Sequence, residues 1–260
     1  MKMNWLCFAN ILFGIGISLS VNAQPKSYSV ANAHSHNDYE NPIPFFTAYE
    51  AGFGSIEADI FLVGGQLFVA HDTVELKTRR TLRQYYLDPL IKAVQKNNGH
   101  AFADSGAILQ MLIDIKTDSI HTLNALIEIL RQIPSLSKNN TIKWVITGNR
   151  PSPWLFSHYP AFIFFDGVLS KEYAADALSK IVMMSADFRK YSSWRGNGEM
   201  PPPDYTAVML QITKAHQLHK PVRFWDAPDT KNSWIEFEHL GVDFINTDRI
   251  RELADFLNRH

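Results

Sequence analysis

One rhythm limits what this chain can fold into. Short apolar runs bounded by turn residues alternate with longer stretches whose apolar side chains recur at helical spacing. Eight runs read as strands: 29–34, 55–61, 109–115, 143–147, 162–165, 182–188, 221–225 and 243–246. A ninth, 67–70, follows Gly64-Gly65, a pair that predicts a tight hairpin turning back from the second strand. Helical patterns occupy 42–51, 82–97, 119–133, 205–219 and 249–258. The third of these carries Leu123, Leu126, Ile127 and Leu130 on one face and stops at Pro134. Asp204, after Pro201-Pro202-Pro203, is the expected N-cap of the fourth. Strands separated by helices make parallel sheets, and eight of them in a chain of 260 residues predict an α/β fold, a TIM-type (β/α)8 barrel in a single domain. The longest patternless stretch, 189–204, follows the sixth strand, and loops of that length are often functional.

The first residues do not follow the rhythm. Lys2 precedes an apolar run over 5–19, and Val21-Asn22-Ala23 then offers a small-residue cleavage site. This pattern predicts a signal peptide over 1–23 and a mature barrel over 24–260, exported to the periplasm or secreted. The run falls short of the ~20 residues of a membrane span, so none is expected in the mature chain. Cys7 is the only cysteine, which leaves that mature chain without a disulfide or a thiolate metal site. Lys and Arg total 25 against 26 Asp and Glu and are scattered, so no nucleic-acid footprint is expected. The sequence does not specify an oligomeric state.

Polar groups that carry chemistry gather at strand ends, where β/α barrels place their active sites. Glu57 and Asp59 stand at i and i+2 on the second strand, so both carboxylates face one way, with Ala58 opposite. Two adjacent carboxylates repel unless a cation or a proton lies between them. Asp114 and Lys116 repeat the spacing on the next strand. Glu57, Asp59 and Asp114 are therefore candidate ligands for one hard divalent cation, Mg2+ or Ca2+. Lys116 supplies a point charge for an oxyanion or phosphate. A structural ion-pair network is the competing reading of the same residues. His34 ends the first strand and His71 ends the run after the hairpin, and two imidazoles at one mouth can act as general base and general acid. His36 is either a third pocket group or a loop residue bonded to Asp38. Arg223 and Trp225 share a strand face and are expected to line the pocket. Asp166, at the end of the fifth strand, either reaches the pocket or caps a helix.

In order, the chain presents His34, Glu40-Asn41, Glu57-Ala58-Asp59 and His71-Asp72. This series resembles the signature of the glycerophosphodiester phosphodiesterase and PI-phospholipase-C-like superfamily. Asp114 and Lys116 match its acidic-x-Lys, and the segments 222–225 and 243–248 resemble its last two strands. Typical members place Arg and Gly directly after the first His, whereas this chain has Ser35 and His36, a variant similar to a less-studied PI-phospholipase-C-like branch. The resemblance implies phosphodiester cleavage at one divalent cation, with His34 and His71 as the acid–base pair. The nucleophile is then either water or a neighbouring hydroxyl of the substrate, the latter giving a cyclic phosphate. Lys116, His36, Arg223 and Trp225 would bind a small-molecule or lipid-derived phosphodiester. Two rival readings differ in class. His34-Ser35-His36 fits a His-x-His metal-dependent amidohydrolase or phosphoesterase, but the later strands bring no further His ligands. A non-catalytic barrel that binds a phosphorylated ligand needs no acid–base pair.

Overall fold

Nine strands form one sheet in the computed structural model, which describes Pro25 and residues 27–259. The expected signal peptide, 1–23, lies outside these residues. The strands are β1 (Ala33–Ser35), β2 (Ser55–Val63), β3 (Gln66–Val69), β4 (Leu109–Ile115), β5 (Ile142–Gly148), β6 (Ile163–Val168), β7 (Ile181–Asp187), β8 (Val222–Trp225) and β9 (Ile245–Thr247). Eight of them run parallel in the order β8-β7-β6-β5-β4-β2-β1-β9, and β3 pairs antiparallel with β2 alone. The two ends of the sheet meet. Arg223 on β8 bridges to Phe244, just before β9, and the amides of Asp243 and Phe244 both donate to the Val222 carbonyl at 3.1 Å. The result is the expected TIM-type barrel, nearly closed.

A parallel sheet needs cover on its outer face. The helices are α1 (Phe46–Glu50), α2 (Asp88–Lys96), α3 (Ser119–Arg131), α4 (Pro134–Ser137), α5 (Ala175–Lys180), α6 (Pro202–Gln217), α7 (Lys231–Leu240) and α8 (Ile250–Leu257). Residues such as Ile56, Ala58, Ile60, Met111, Ile113, Trp144 and Ile146 are buried in the main core beneath them. Inside the barrel Leu112, Val145 and Met183 form a small separate apolar cluster. Glu57 pairs in register with Leu112, and Asp59 with Asp114 one layer higher, so the polar mouth sits directly on that apolar floor. Among the described residues, no helix is long and apolar enough to cross a membrane.

Three local expectations need correction. The first strand is shorter than 29–34, because Ser29 and Asn32 form a reciprocal capping box around a 3-10 turn over Val30–Asn32. The pattern over 82–97 divides into a π-type turn, Arg83–Leu87, and α2. Asp204 does not cap α6. Pro202 and Pro203 begin that helix, where a missing N–H costs nothing, and Pro201 is its N-cap. The Asp204 carboxylate instead accepts from Ser192 Oγ at 2.7 Å and the Ser193 amide at 3.0 Å, tying down the long 189–204 loop. Helix α7 escaped the periodicity reading, although the capping box of Thr230 and Ser233 and the C-terminal Gly241, at φ +85°, mark its ends.

Candidate active site

The centre of the barrel mouth is set by strand alternation. Ala58 points outward into the core, which turns Glu57 and Asp59 inward. With Asp114 beside Asp59, each of the three residues offers an oxygen within 4.8 Å of the others. Lys116 Nζ lies 2.8 Å from Asp59 Oδ2 and 3.0 Å from Asp114 Oδ2. The opposite oxygens, Asp59 Oδ1 and Asp114 Oδ1, are buried without a hydrogen-bond partner. Orphaned buried carboxylate oxygens are costly, and two of them beside Glu57 fit a hard oxygen-liganded cation.

The electrostatics agree with that reading. Burial, reinforced by the charges of Glu57 and Asp114, pushes Asp59 up to about 7 against the pull of Lys116. Burial also raises Asp114, with Lys116 opposing. Glu57 behaves differently. Burial works against its charge, but Arg223 and the hydrogen bond from His34 hold it well below the usual carboxylate range.

Gly148, at the end of β5, is required by this arrangement. Its φ is +67°, and a Cβ there would stand 1.9 Å from Asp114 Oδ1 and 2.7 Å from the Ile115 carbonyl oxygen. Gly148→Ala should therefore push Asp114 out of place and strain the backbone, costing roughly 1–3 kcal/mol. Denaturant unfolding and a cation titration would check it. An unchanged midpoint with unchanged cation affinity would show that Asp114 is free to move aside.

The two first-strand histidines occupy different layers. His34 is completely buried below the pocket. Its Nδ1 lies 2.8 Å from Ser55 Oγ, which itself accepts from Gln110 Nε2 at 3.0 Å. His34 Nε2 lies 2.7 Å from both Glu57 Oε2 and Arg223 Nη1, so the ring is held by polar groups at both nitrogens. Burial, and then the Arg223 charge, lowers the His34 pKa to about 4, so the ring is neutral. Enclosed in this way, His34 does not face the cavity, although the sequence places it at the barrel mouth.

His36, two residues on and just past the end of β1, does line the cavity, together with Glu57. Its Nδ1 lies 2.8 Å from Asp248 Oδ1. Burial alone would lower its pKa, but the Asp248 hydrogen bond and the nearby Glu57 charge outweigh it and leave a net upward shift. The alternative in which His36 bonds Asp38 does not occur. Asp38 instead accepts from Ser35 Oγ, the Phe45 amide and Tyr86 Oη, which pins the loop after β1.

His71 enters from the β3 side and is half exposed, its Nδ1 3.2 Å from Tyr39 Oη and 3.5 Å from Asp59 Oδ2. Tyr39 is fully buried and donates to Asp59 Oδ2 at 2.8 Å, so its oxygen accepts from His71 Nδ1 and leaves Nε2 for the pocket. Sequence reasoning missed Tyr39, which stands only three residues beyond His36. Arg223 is buried, donating to Glu57 Oε2 at 2.9 Å and Asn246 Oδ1 at 3.1 Å. Trp225, on the same face of β8, is exposed at the rim. Arg150, also missed, completes the wall of a cavity of about 360 Å3.

A barrel mouth with three inward carboxylates, two histidines and a lysine defines a class, that of phosphodiesterase-type TIM barrels. The fold is shared with a glycerophosphodiester phosphodiesterase from Parabacteroides distasonis ATCC 8503, at a TM-score of 0.58 and 16% identity, over 88% of this chain and 97% of that one. Residues 25–151 match the model of the AIM6-like phosphodiesterase domain, a span holding β1 to β5 and every pocket residue named above except Arg223, Trp225 and Asp248's end of the barrel. A relative from Arthroderma benhamiae, "Altered inheritance of mitochondria protein 6 homolog", is 30% identical over 84% of this chain and 81% of its own length. A Kluyveromyces lactis protein, "Altered inheritance of mitochondria protein 6", is 24% identical over 87% of this chain and 72% of its own. The chain belongs to this AIM6-like family. These relatives also correct one expectation: they are named for inheritance of an organelle inside the cell, and the periplasmic or secreted location is withdrawn.

Proposed function

We propose that the protein is a metal-dependent phosphodiesterase that cleaves a small or lipid-derived phosphodiester of the glycerophosphodiester kind. The observation that carries this reading is the pair of buried, unpartnered oxygens, Asp59 Oδ1 and Asp114 Oδ1, beside Glu57 and next to the cavity that His36, His71 and Lys116 line. Glu57, Asp59 and Asp114 would hold Mg2+ or Ca2+, which when bound supplies positive charge to a phosphate oxygen. Lys116 adds a second positive charge beside the phosphate. His71, with Nε2 free, takes the proton of the nucleophile, either water or a neighbouring substrate hydroxyl. His36, whose pKa the Asp248 hydrogen bond raises, gives a proton to the departing alkoxide as its bond to phosphorus breaks. Arg223 keeps Glu57 ionised from beneath.

Turnover of bis-p-nitrophenyl phosphate tests this. Activity should vanish after EDTA treatment and return with Mg2+ or Ca2+; persistence without metal, or no turnover of any diester with either ion, would overturn it. The cation's effect should also depend on pH. Asp59 is raised in the folded state, so its proton is retained below about 7, and the metal-free protein loses that contribution to stability as pH rises through this value. A cation need not displace the proton above pH 7, so added Mg2+ or Ca2+ should raise the melting temperature more at pH 8 than at pH 6.

A further inference from the structure

Asp248, which bonds His36 Nδ1, is a poor anchor when taken alone. Its side chain is 64% exposed and stands just past the end of β9. An exposed carboxylate–imidazole pair is worth little unless its geometry is fixed. Here the backbone beneath the pair is fixed from the loop between β8 and α7. Asp229 in that loop accepts the Asp248 amide at Oδ2, 2.9 Å away. It also accepts the Thr247 hydroxyl, which lies 2.8 Å from Oδ1 and 3.0 Å from Oδ2. That hydroxyl accepts in turn from the Arg249 amide at 2.8 Å, so one carboxylate organises three successive residues. Asp229 is anchored from behind by the buried Trp234 of α7, whose Nε1 donates to Oδ1 at 2.8 Å. The histidine hangs on the same segment, because the His36 amide donates to the Thr247 carbonyl at 3.0 Å. Carboxylate and imidazole are thus held from one point, and Asp229 itself does not line the cavity.

We propose that Asp229 is a positioning residue. Through the Asp248 amide and the Thr247 hydroxyl it aims the Asp248 carboxylate at His36 Nδ1, which turns Nε2 toward the leaving group. The consequence for turnover rests on the phosphodiesterase reading with His36 as the acid, but the hydrogen bond can be observed without substrate.

The first test is 15N NMR of the histidine-labelled full chain, with the His36 signals identified by their loss in His36→Ala. At a pH where the ring is neutral, its proton should reside on Nδ1, facing Asp248. Asp229→Ala should shift the ring nitrogens toward the Nε2–H tautomer that free imidazoles favour. In the Mg2+-loaded protein, Asp229→Ala should lower kcat on an alkyl phosphodiester by about 10–100-fold, the scale of a small misplacement of a reacting group. The loss on bis-p-nitrophenyl phosphate should be smaller, and KM should stay level. On an Asp248→Ala background Asp229→Ala should cost nothing further, because residues acting through one contact are not additive. Should Asp229→Ala fold poorly by circular dichroism, Thr247→Val, which removes the bridging hydroxyl without changing charge, should produce the same tautomer shift. Unmoved His36 signals in the folded variant, equal losses on the alkyl and aryl substrates, or additive losses with Asp248→Ala would overturn the positioning role. Absence of turnover on every diester would sink the phosphodiesterase reading alone, and the His36 signals would still decide whether Asp229 aims Asp248.

Discussion

His36→Ala should lower kcat on an alkyl phosphodiester by about 10²–10⁴-fold, the usual worth of a positioned acid or base. The loss should be smaller on bis-p-nitrophenyl phosphate, because nitrophenolate departs without needing a proton. That split between substrates is the signature of a general acid. His71→Ala, which removes the proposed base, should depress both substrates alike. His34 should act through position instead: its Nε2 lies between Glu57 and Arg223, and the ring sits outside the cavity. His34→Asn should therefore weaken cation affinity and stability, with no discrimination between alkyl and aryl leaving groups. Equal losses on the two substrates for His36→Ala, with a split for His34→Asn, would reverse the assignment.

Arg223→Met should destabilise the fold by about 3–5 kcal/mol, the cost of stranding one member of a buried ion pair. Arg223 donates to Glu57 at 2.9 Å, with both side chains almost wholly buried. Glu57 is held below its ordinary pKa, so its contribution to stability is present above its unfolded value and fades as pH falls toward the folded one. Without Arg223, burial should push that carboxylate upward and weaken its ionised form. Adding Glu57→Gln to Arg223→Met should recover much of the stability and none of the cation binding. Urea unfolding and calorimetric cation titration of the single and double variants would decide it. A single variant as stable as the native protein would show that water or Asn246 can replace the guanidinium.

The barrel and its acidic trio were legible because they depend on local spacing. Alternation placed Glu57 and Asp59 on one face, and the same spacing in Asp114 and Lys116 aligned the next strand with them. The depths of His34 and His36 were not legible. Both point inward, and only the register with β2, where His34 pairs with Ser55, shows that His34 lies below the cavity. That register depends on where the short strand β1 begins, and a capping box at Ser29 moves the start. Tyr39 and Arg150 were missed because they reach the site from loops, where no periodicity points a side chain. Asp166 was left open between pocket and helix cap; the structure puts it in the barrel wall.

Lys116 has a consequence for the order of assembly. Its ammonium already bridges Asp59 and Asp114 through their Oδ2 atoms, while their Oδ1 atoms are buried without a partner. The barrel thus carries an internal counter-ion for the charges that would otherwise oppose closing β2 onto β4. Many small metallo-domains, by contrast, fold only around their ion. On the proposed function, the chain can complete its fold first and take up its cation afterwards, the ion adding to a stability that the lysine already secures.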